Sequence, residues 1–135
     1  MNVHDLLEFA LDERKLILEF VKSESLTLDE IDSIENTDMY DLDCLEIEIG
    51  NQEYYIILDD TILDDKLLDY MKDEGSEYPY FYTQAIEAKT VDPVYTCFTD
   101  WIEQIIQYDG WESVVGTYDG SSCELSGNAV YFRRN

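Results

Sequence analysis

The sequence predicts an α+β fold in a single domain, with an antiparallel sheet packed against about four helices. Two observations support this prediction. The 135 residues are 45% hydrophobic and 13% aromatic, which suffices for one packed core. Segments with an apolar period of two also alternate along the chain with segments of helical period. We therefore expect one domain over residues 1–135, with no internal repeat or linker.

The central β-hairpin is predicted over about residues 45–58. Apolar residues alternate with glutamates from Leu45 to Ile49, which is the pattern of a half-buried strand. Gly50 begins a stretch suited to a turn, and residues 54–58 are rich in β-forming side chains. The same residues thus give the hairpin an apolar face and an acidic face.

Helical periodicity marks residues 3–22 as the first helix. One apolar line includes Leu11 and Leu18, and a second includes Phe9 and Phe20. Because apolar residues occupy two lines, we expect this helix to be well buried.

A short second helix is expected from Thr27. Thr27 and Glu30 have the spacing of a capping box, in which each side chain bonds the other residue's backbone. Leu28, Ile31 and Ile34 would then face inward.

A third helix is predicted over about residues 62–74. Leu63, Leu67 and Met71 form its apolar face, and Gly75 would stop it. Acidic residues recur at spacings of four on another face of the same helix.

An aromatic segment follows at residues 77–83 (EYPYFYT), around Pro79. Two interpretations remain open: a loop that packs its rings onto the core, or an apolar edge that binds a partner. A short helix over residues 83–89 would come next.

The fourth major helix is expected to start at Asp92 and Pro93, which supply a cap and a first-turn proline. Gly110 would end it. Cys97 lies on the apolar line of this helix and is expected to be a core thiol.

The C-terminal part of the sheet is predicted over about residues 111–133. Residues 111–118 and 128–133 have strand-like composition, and Asp119 and Gly120 form a turn between them. Residues 121–125 would add a short strand.

The charge of the chain excludes several classes of function. With 32 acidic against 8 basic residues the net charge is −24, so direct binding of nucleic acid is not expected. No segment has the length of a membrane span or the pattern of a signal peptide. The three cysteines have no metal-like spacing and are expected to be reduced thiols in the cytoplasm.

The sequence has no recognisable catalytic or metal-binding pattern. His4 is the lone histidine and is expected at the surface or at a helix cap. The acids near Asp41 fail the EF-hand pattern, because Leu45 and Glu46 fall where a ligand and the glycine belong. We expect no enzyme activity, no specific metal site and no cofactor, while loose binding of divalent cations by the many acids stays open.

The negative charge is concentrated between residues 24 and 77, which hold 19 acidic and 2 basic residues. Same-face strand neighbours lie about 6.6 Å apart and helical neighbours four residues apart about 6 Å. Duplex DNA has one phosphate per about 3.4 Å of each strand, so a mixed surface of carboxylates could approach that density. Such a surface would mimic nucleic acid; the simpler alternative is a hydrated acidic surface that only keeps the protein in solution.

Two segments resemble those of a group of small acidic proteins from bacteriophages and other mobile elements. Residues 52–60 (QEYYIILDD) are similar to an "EYLVLTDDE"-like segment of that group. Residues 118–135, with Tyr118-Asp119-Gly120 and the ending YFRRN, resemble its "YDG…E…YR.N" C-terminus. The chain departs from the pattern at residues 121–123, where acids are usual, and in its additional N-terminal helical part.

The resemblance implies a phage-type protein in a bacterial cytoplasm and transfers no catalytic residues. In that context, very acidic small domains are often inhibitors of host defence, such as antirestriction or anti-CRISPR proteins. Our first hypothesis is therefore a non-enzymatic nucleic-acid mimic that binds a CRISPR effector or restriction nuclease. The second is a module that binds a protein partner, or a second copy, through aromatic residues 78–82. The mimic hypothesis assigns partner binding to Glu24, Asp29, Asp32, Glu35, Asp38, Asp41, Asp43, Glu46, Glu48, Glu53, Asp59, Asp60, Asp64, Asp65 and Asp69.

Overall fold

The computed structural model of the protein describes residues 1–73, 76–88 and 97–135. Over these residues it has five α-helices and one five-stranded antiparallel sheet, which confirms the α+β class. The chain divides into two compact units. The sheet unit comprises Met1–Thr61 and Gly116–Asn135, and the helical unit comprises Ile62–Val115.

The strands are β1 (Ser33–Met39), β2 (Leu42–Ile49), β3 (Gln52–Ile57), β4 (Cys123–Glu124) and β5 (Val130–Arg133). The helices are α1 (Leu11–Ser23), α2 (Leu63–Lys72), α3 (Tyr78–Glu87), α4 (Phe98–Asp109) and α5 (Trp111–Val115). Within the described chain, no helix combines the length and the apolar character needed to cross a membrane.

The central hairpin is confirmed as β2 and β3 in a sheet ordered β1-β2-β3-β5-β4. Leu45 pairs with Ile56 and Ile47 with Tyr54, so the alternating apolar residues meet across the strands. Gly50, in the turn, has a φ of 60°, a left-handed conformation that glycine adopts without steric cost.

The predicted second helix is wrong beyond its first turn. A 3-10 turn, Leu28–Glu30, does have the predicted capping box, and Ile31 and Ile34 are buried. The chain then becomes strand β1, which pairs along its whole length with β2. Backbone pairing with β2 therefore outweighs the weak helical pattern of these residues.

Helix α1 packs on one face of the sheet, which we call the α1 face. Phe20 is fully buried, with its ring centre 5.1 Å from that of Tyr54 and 5.0 Å from that of Tyr131. Edge-to-face contacts of this kind stabilise a core beyond the area they bury. The hydrophobic core of the sheet unit lies between α1 and these strands.

The first helix is shorter and more exposed than predicted. Residues 5–8 form a separate 3-10 turn before α1 begins at Leu11. Ile17 and Phe20 have no exposed surface, whereas Leu11 is 78% exposed and Leu18 is 50% exposed. The side of α1 that has Ile17 and Phe20 packs on the sheet, and the side that has Leu11 and Leu18 projects away from it.

In the helical unit, α2 confirms the predicted third helix. Leu67 and Met71 are fully buried on its apolar face. The loop predicted at residues 77–83 is instead the start of α3, because Pro79 lies in the first turn, where a helix tolerates proline. Gly75, the predicted stop of the third helix, lies outside the described residues.

Helix α4 ends at Asp109 as predicted, and Gly110 follows with a φ of 81°. Its predicted start at Asp92 and Pro93 lies outside the described residues. Cys97 is exposed at the N-cap position, so the prediction of a core thiol is wrong.

The strand predicted over residues 111–118 is also wrong. Helix α5 forms there and contacts α2 and α4, with Val115 buried. The predicted strands over residues 128–133 and 121–125 are confirmed as β5 and β4, although β4 has only two residues. The C-terminal contribution to the sheet therefore begins at Cys123, not near residue 111.

Candidate functional site

Four glutamates lie together on the sheet face opposite α1; we call them the Glu cluster. Glu35 on β1 pairs with Glu46 on β2, and Glu48 on β2 pairs with Glu53 on β3. Side chains that face each other across antiparallel strands lie about 5 Å apart at their Cβ atoms. Strand register thus gathers carboxylates that are up to 18 positions apart in the chain.

The Glu cluster has unequal exposure to solvent. Glu35 and Glu48 are exposed, whereas Glu46 and Glu53 are half-buried. Like charges placed directly opposite each other destabilise a sheet. We therefore expect the cluster to lower the stability of the fold.

A hydrogen bond to Glu53 raises the pKa of the Glu46 carboxyl, and burial and the negative charges of Glu53 and Glu48 raise it further. Below this raised pKa the two carboxyl groups can share a proton in the hydrogen bond, and above it both are negatively charged. The hydroxyl of Tyr55 donates to Oε1 of Glu53 at 3.0 Å. Burial, followed by this hydrogen bond to Glu53, raises the pKa of Tyr55 to about 12, so the phenol keeps its proton.

The basic side chain of Arg134 reaches this face. Its guanidinium carbon lies 5.6 Å from the centre of the Tyr55 ring, and its Nη1 lies 3.5 Å from Sδ of Met39. A single arginine offsets only part of the charge of four carboxylates.

A second acidic feature is a cavity of about 400 Å³ between α1 and the β1–β2 hairpin, which we call the acidic cavity. Glu13 on α1 lines it together with Asp38 and Asp43, which face each other across β1 and β2. Oε2 of Glu13 is buried and has no hydrogen-bond partner among the described residues. A buried carboxylate oxygen without a hydrogen-bond partner is costly to the fold.

Cys44 also lines the acidic cavity. Burial, and then the charge of Asp43, raises the pKa of its thiol to about 12. Because the thiolate is the reactive form of cysteine, Cys44 is not a nucleophile near neutral pH. The cavity therefore offers charge and hydrogen-bond acceptors without a reactive group.

Three of the predicted contact residues accept hydrogen bonds from other residues of the protein. Asp32 accepts a hydrogen bond from the Gly50 amide at 2.7 Å. Asp59 accepts from the Thr61 amide and hydroxyl, and these bonds lower the pKa of its carboxyl. Glu24 accepts from the hydroxyl of Tyr131 at 2.9 Å. These carboxylates have a local structural role whether or not a partner binds them.

The predicted contact residues are divided between the two units. The twelve from Glu24 to Asp60 belong to the sheet unit, and Asp64, Asp65 and Asp69 belong to the helical unit. Eleven are exposed, and four are half-buried: Glu24, Glu46, Glu53 and Asp60. The structure brings the four members of the Glu cluster together on one face of the sheet and, separately, pairs Asp38 with Asp43 at the acidic cavity.

The sequence prediction did not include Glu13. The position of Glu13 could have identified it from the sequence. Glu13 has helical spacing to Ile17 and Phe20, so a charged residue lies on the core-facing line of α1. A charged residue on an apolar line indicates a specific role at that position.

The described residues contain no group of three His, Cys, Asp or Glu side chains arranged to hold a metal ion. Comparisons of the chain with models of protein families, with curated proteins and with solved structures found no match. No relative therefore supplies a function for the Glu cluster or the acidic cavity.

Proposed function

We propose that the protein is a non-enzymatic inhibitor that binds a basic, nucleic-acid-binding protein through its acidic sheet and so excludes the nucleic acid. In the context of the phage-type resemblance, the target would be a CRISPR effector or restriction nuclease in a bacterial cytoplasm. The observation that carries the proposal is the Glu cluster. Four carboxylates are held side by side at a cost to stability, and a binding role accounts for that cost.

The spacing of the Glu cluster suits a surface built to bind phosphates. Neighbouring members of the cluster lie about 5 to 7 Å apart at their Cβ atoms, a charge density of the same order as one phosphate per about 3.4 Å along a nucleic-acid strand. Arginine side chains that bind phosphate also bind carboxylate, with two parallel hydrogen bonds in each case. A groove lined with arginines would therefore bind this face.

The acidic cavity adds a place for one basic side chain of the target. A guanidinium or ammonium group entering it would lie among the acidic residues Glu13, Asp38 and Asp43. Desolvated contacts of this kind contribute more affinity than exposed ion pairs. The cluster would thus provide electrostatic attraction, and the cavity one specific contact.

In the test, the tagged protein is immobilised and incubated with bacterial lysate at about 50 mM NaCl. The proteins bound to it are then eluted in steps of rising salt. We expect to recover a nucleic-acid-binding protein whose retention falls steeply with salt. The added protein should also release a labelled DNA duplex or RNA from that target. Recovery of a target that keeps its nucleic acid at saturating inhibitor would contradict the proposal.

A matched pair of variants separates arrangement from net charge. The cluster variant replaces Glu35, Glu46, Glu48 and Glu53 with glutamine. The dispersed variant replaces four exposed glutamates outside the predicted contact set with glutamine: Glu8, Glu77, Glu103 and Glu124. Both variants lose four negative charges and differ only in where those charges lie. If the arrangement of the Glu cluster binds the target, only the cluster variant should lose the target.

A second candidate function rests on helix α3. Tyr80 is 63% exposed and Phe81 is 42% exposed, whereas the ring of Tyr82 packs 5.4 Å from that of Trp101. Part of the aromatic segment therefore packs inward, and part is available to a protein partner. Such an interface would be nearly insensitive to salt, and Tyr80→Ala with Phe81→Ala would abolish it without affecting the salt-sensitive target.

A further inference from the structure

Strand β1 lies at an open edge of the sheet. The order β1-β2-β3-β5-β4 makes β1 and β4 the two edge strands of the described sheet. Strand β4 has only two residues, whereas β1 pairs with β2 over seven residues without interruption. Proteins protect a sheet edge with a short strand, a bulge, a lysine or a proline, and β1 (SIENTDM) has none of these. Its edge is therefore a template on which a further strand could pair.

The hydrogen bonds of β2 show which backbone groups lie at that edge. On the β3 side, the Leu58 amide donates to the carbonyl of Asp43 at 3.2 Å. On the β1 side, the Asp32 amide donates to the carbonyl of Glu48 at 2.9 Å. Successive residues of an antiparallel strand bond to opposite neighbours. The odd-numbered residues of β2 therefore bond to β3, and the even-numbered residues bond to β1.

The backbone groups of Asn36 and Asp38 point away from the sheet. The register pairs the odd-numbered residues of β1, among them Glu35 and Thr37, with even-numbered residues of β2. These odd-numbered residues bond to β2, so the residues between them direct their amides and carbonyls outward. Asn36 and Asp38 are exposed, and no hydrogen bond from elsewhere in the described chain reaches their backbone. Two amides and two carbonyls thus face the position of a further strand.

The side chains along this edge are acidic on both faces of the sheet. Glu35 lies on the side of the Glu cluster, and Asp38 lies on the α1 side, where it lines the acidic cavity. The sequence has no lysine or arginine between Lys22 and Lys66. A strand added beside β1 would lie about 4.8 Å away, with its side chains about 5 Å from those of β1 at their Cβ atoms. The charges of the edge therefore favour a strand with basic side chains on both faces.

We propose that β1 binds an extended, basic segment of the target, which adds to the sheet as a further antiparallel strand. This inference rests on the proposed function, because the target supplies the segment. Glu35 and Asp38 are three positions apart and lie on opposite faces, so the segment needs basic residues three positions apart. The same acids oppose pairing with a second copy of the chain, whose edge is equally acidic.

Strand addition combines two kinds of contact. Main-chain hydrogen bonds to Asn36 and Asp38 contribute affinity for an extended segment, and the acids select its basic side chains. The basic side chain on the α1 side would lie among Glu13, Asp38 and Asp43 at the acidic cavity. The basic side chain on the other side would face Glu35 at the margin of the Glu cluster. A segment of this kind would therefore contact both acidic features of the sheet unit.

A synthetic peptide of about seven residues tests the proposal. It consists of threonine and valine with arginine at its third and sixth positions, and both its ends are capped. Fluorescence polarisation of the labelled peptide, titrated with the protein at about 150 mM NaCl, measures the Kd. We expect a Kd on the order of 0.1 mM, and binding at least about tenfold weaker when glutamine replaces both arginines.

N-methylation of the peptide distinguishes strand addition from simple attraction of charge. With the third peptide residue opposite Asp38 and the sixth opposite Glu35, the amides of the third and fifth residues face β1, and those of the fourth and sixth face solvent. Methylating the first pair of amides should raise the Kd at least about tenfold, and methylating the second pair less than about twofold. Each pair includes one arginine, so the two peptides match in charge. Equal effects, the reverse preference, or no binding at about 1 mM would overturn the proposal.

The variant Asn36→Pro tests the edge in the protein itself. Proline removes one outward amide, and an edge strand tolerates this change because that amide does not bond to β2. The variant should bind the peptide at least about tenfold more weakly, whereas Asn36→Ala, which keeps the amide, should stay within about twofold of the wild type. The N-methylated peptides need only the wild-type protein, so they decide the proposal even where the proline variant fails to fold.

The captured target separates this proposal from the proposed function. Asn36→Pro keeps every carboxylate, so a folded variant that binds the target as tightly as the wild type would overturn strand addition and leave the proposed function intact. A target that binds the wild type at least about tenfold more tightly than this variant, yet keeps its nucleic acid, would support strand addition and contradict the proposed function.

Discussion

Replacing Glu46 with glutamine should stabilise the protein at neutral pH. Glu46 faces Glu35 across the β1–β2 pair and shares a hydrogen bond with Glu53. It also lies two residues from Glu48 on the same face of β2. Glutamine keeps the shape and can donate a hydrogen bond to Glu53. The change therefore removes like-charge repulsion while the packing of the sheet is kept.

The size of the effect follows from the distances between the carboxylates. Two unit charges about 6 Å apart in water repel by about 0.7 kcal/mol, and physiological salt screens part of this. Because Glu46 has three glutamate neighbours, the net gain should be about 1 kcal/mol. For a domain of this size, a gain of that amount raises the unfolding midpoint by roughly 4 °C.

The contribution of Glu46 to folding stability falls as the pH rises. The pKa of Glu46 is raised above its usual value of 4.5 in the folded protein. The folded state therefore holds this proton more tightly than the unfolded chain. Stability from the protonated carboxyl is fully present below about pH 4.5 and is lost as the pH rises through the folded pKa. The variant Glu46→Gln has no carboxyl group at this position, so its stability does not fall for this reason as the pH rises.

Thermal unfolding followed by circular dichroism, at about pH 4 and about pH 7, measures both effects. We expect the midpoints of the variant and the wild type to converge in acid and to separate at neutral pH. Glu124→Gln is the control, since Glu124 is exposed and pairs with Val130 on β5. An equal gain in the control, or no gain at about pH 7, would refute the account of the Glu cluster.

Three further predictions follow from the core and the thiols. At about pH 8 a thiol reagent should modify the exposed Cys97 and Cys123 quickly, but Cys44 only after unfolding, because burial raises its pKa to about 12; mass spectrometry of peptides identifies the sites. Phe20→Ala should cost about 3 to 5 kcal/mol in chemical denaturation, since the ring is fully buried; a loss below about 1 kcal/mol would contradict the packing. Tyr131→Phe should cost about 1 to 2 kcal/mol by the same measurement, because its hydroxyl bonds a serine at 2.6 Å and a glutamate at 2.9 Å.

The elements with strong periodicity could be predicted from the sequence. The β2–β3 hairpin alternates over several residues and has Gly50 at the turn, so its pattern and its pairing agree. Helix α2 has an apolar line at helical spacing on a charged background. In both, local propensity and burial favour the same structure.

The missed elements depend on contacts between distant parts of the chain. Strand β1 (SIENTDM) has only Ile34 and Met39 buried, so its composition gives little sign of a strand without β2 beside it. Residues 111–115 (WESVV) favour strands by composition but form α5, where Val115 is buried within the helical unit. Tertiary contacts decide these segments.

The acidic character of the site was predictable, but its arrangement was not. Glu46 and Glu48 could be placed on one face by alternation alone. Their proximity to Glu35 and Glu53 depends on the register with β1 and β3, and β1 had not been predicted. Glu13 joins the acidic cavity through the packing of α1 on the sheet.

The affinity of the captured target for the wild type, the cluster variant and the dispersed variant tests the central claim most directly. Calorimetry or fluorescence titration at about 50 and about 200 mM NaCl would measure it. The proposal predicts that the cluster variant loses at least about 100-fold and the dispersed variant less than about fivefold, since both have the same net charge. Equal losses in the two variants would show that charge alone attracts the target, which would contradict a binding role for the Glu cluster.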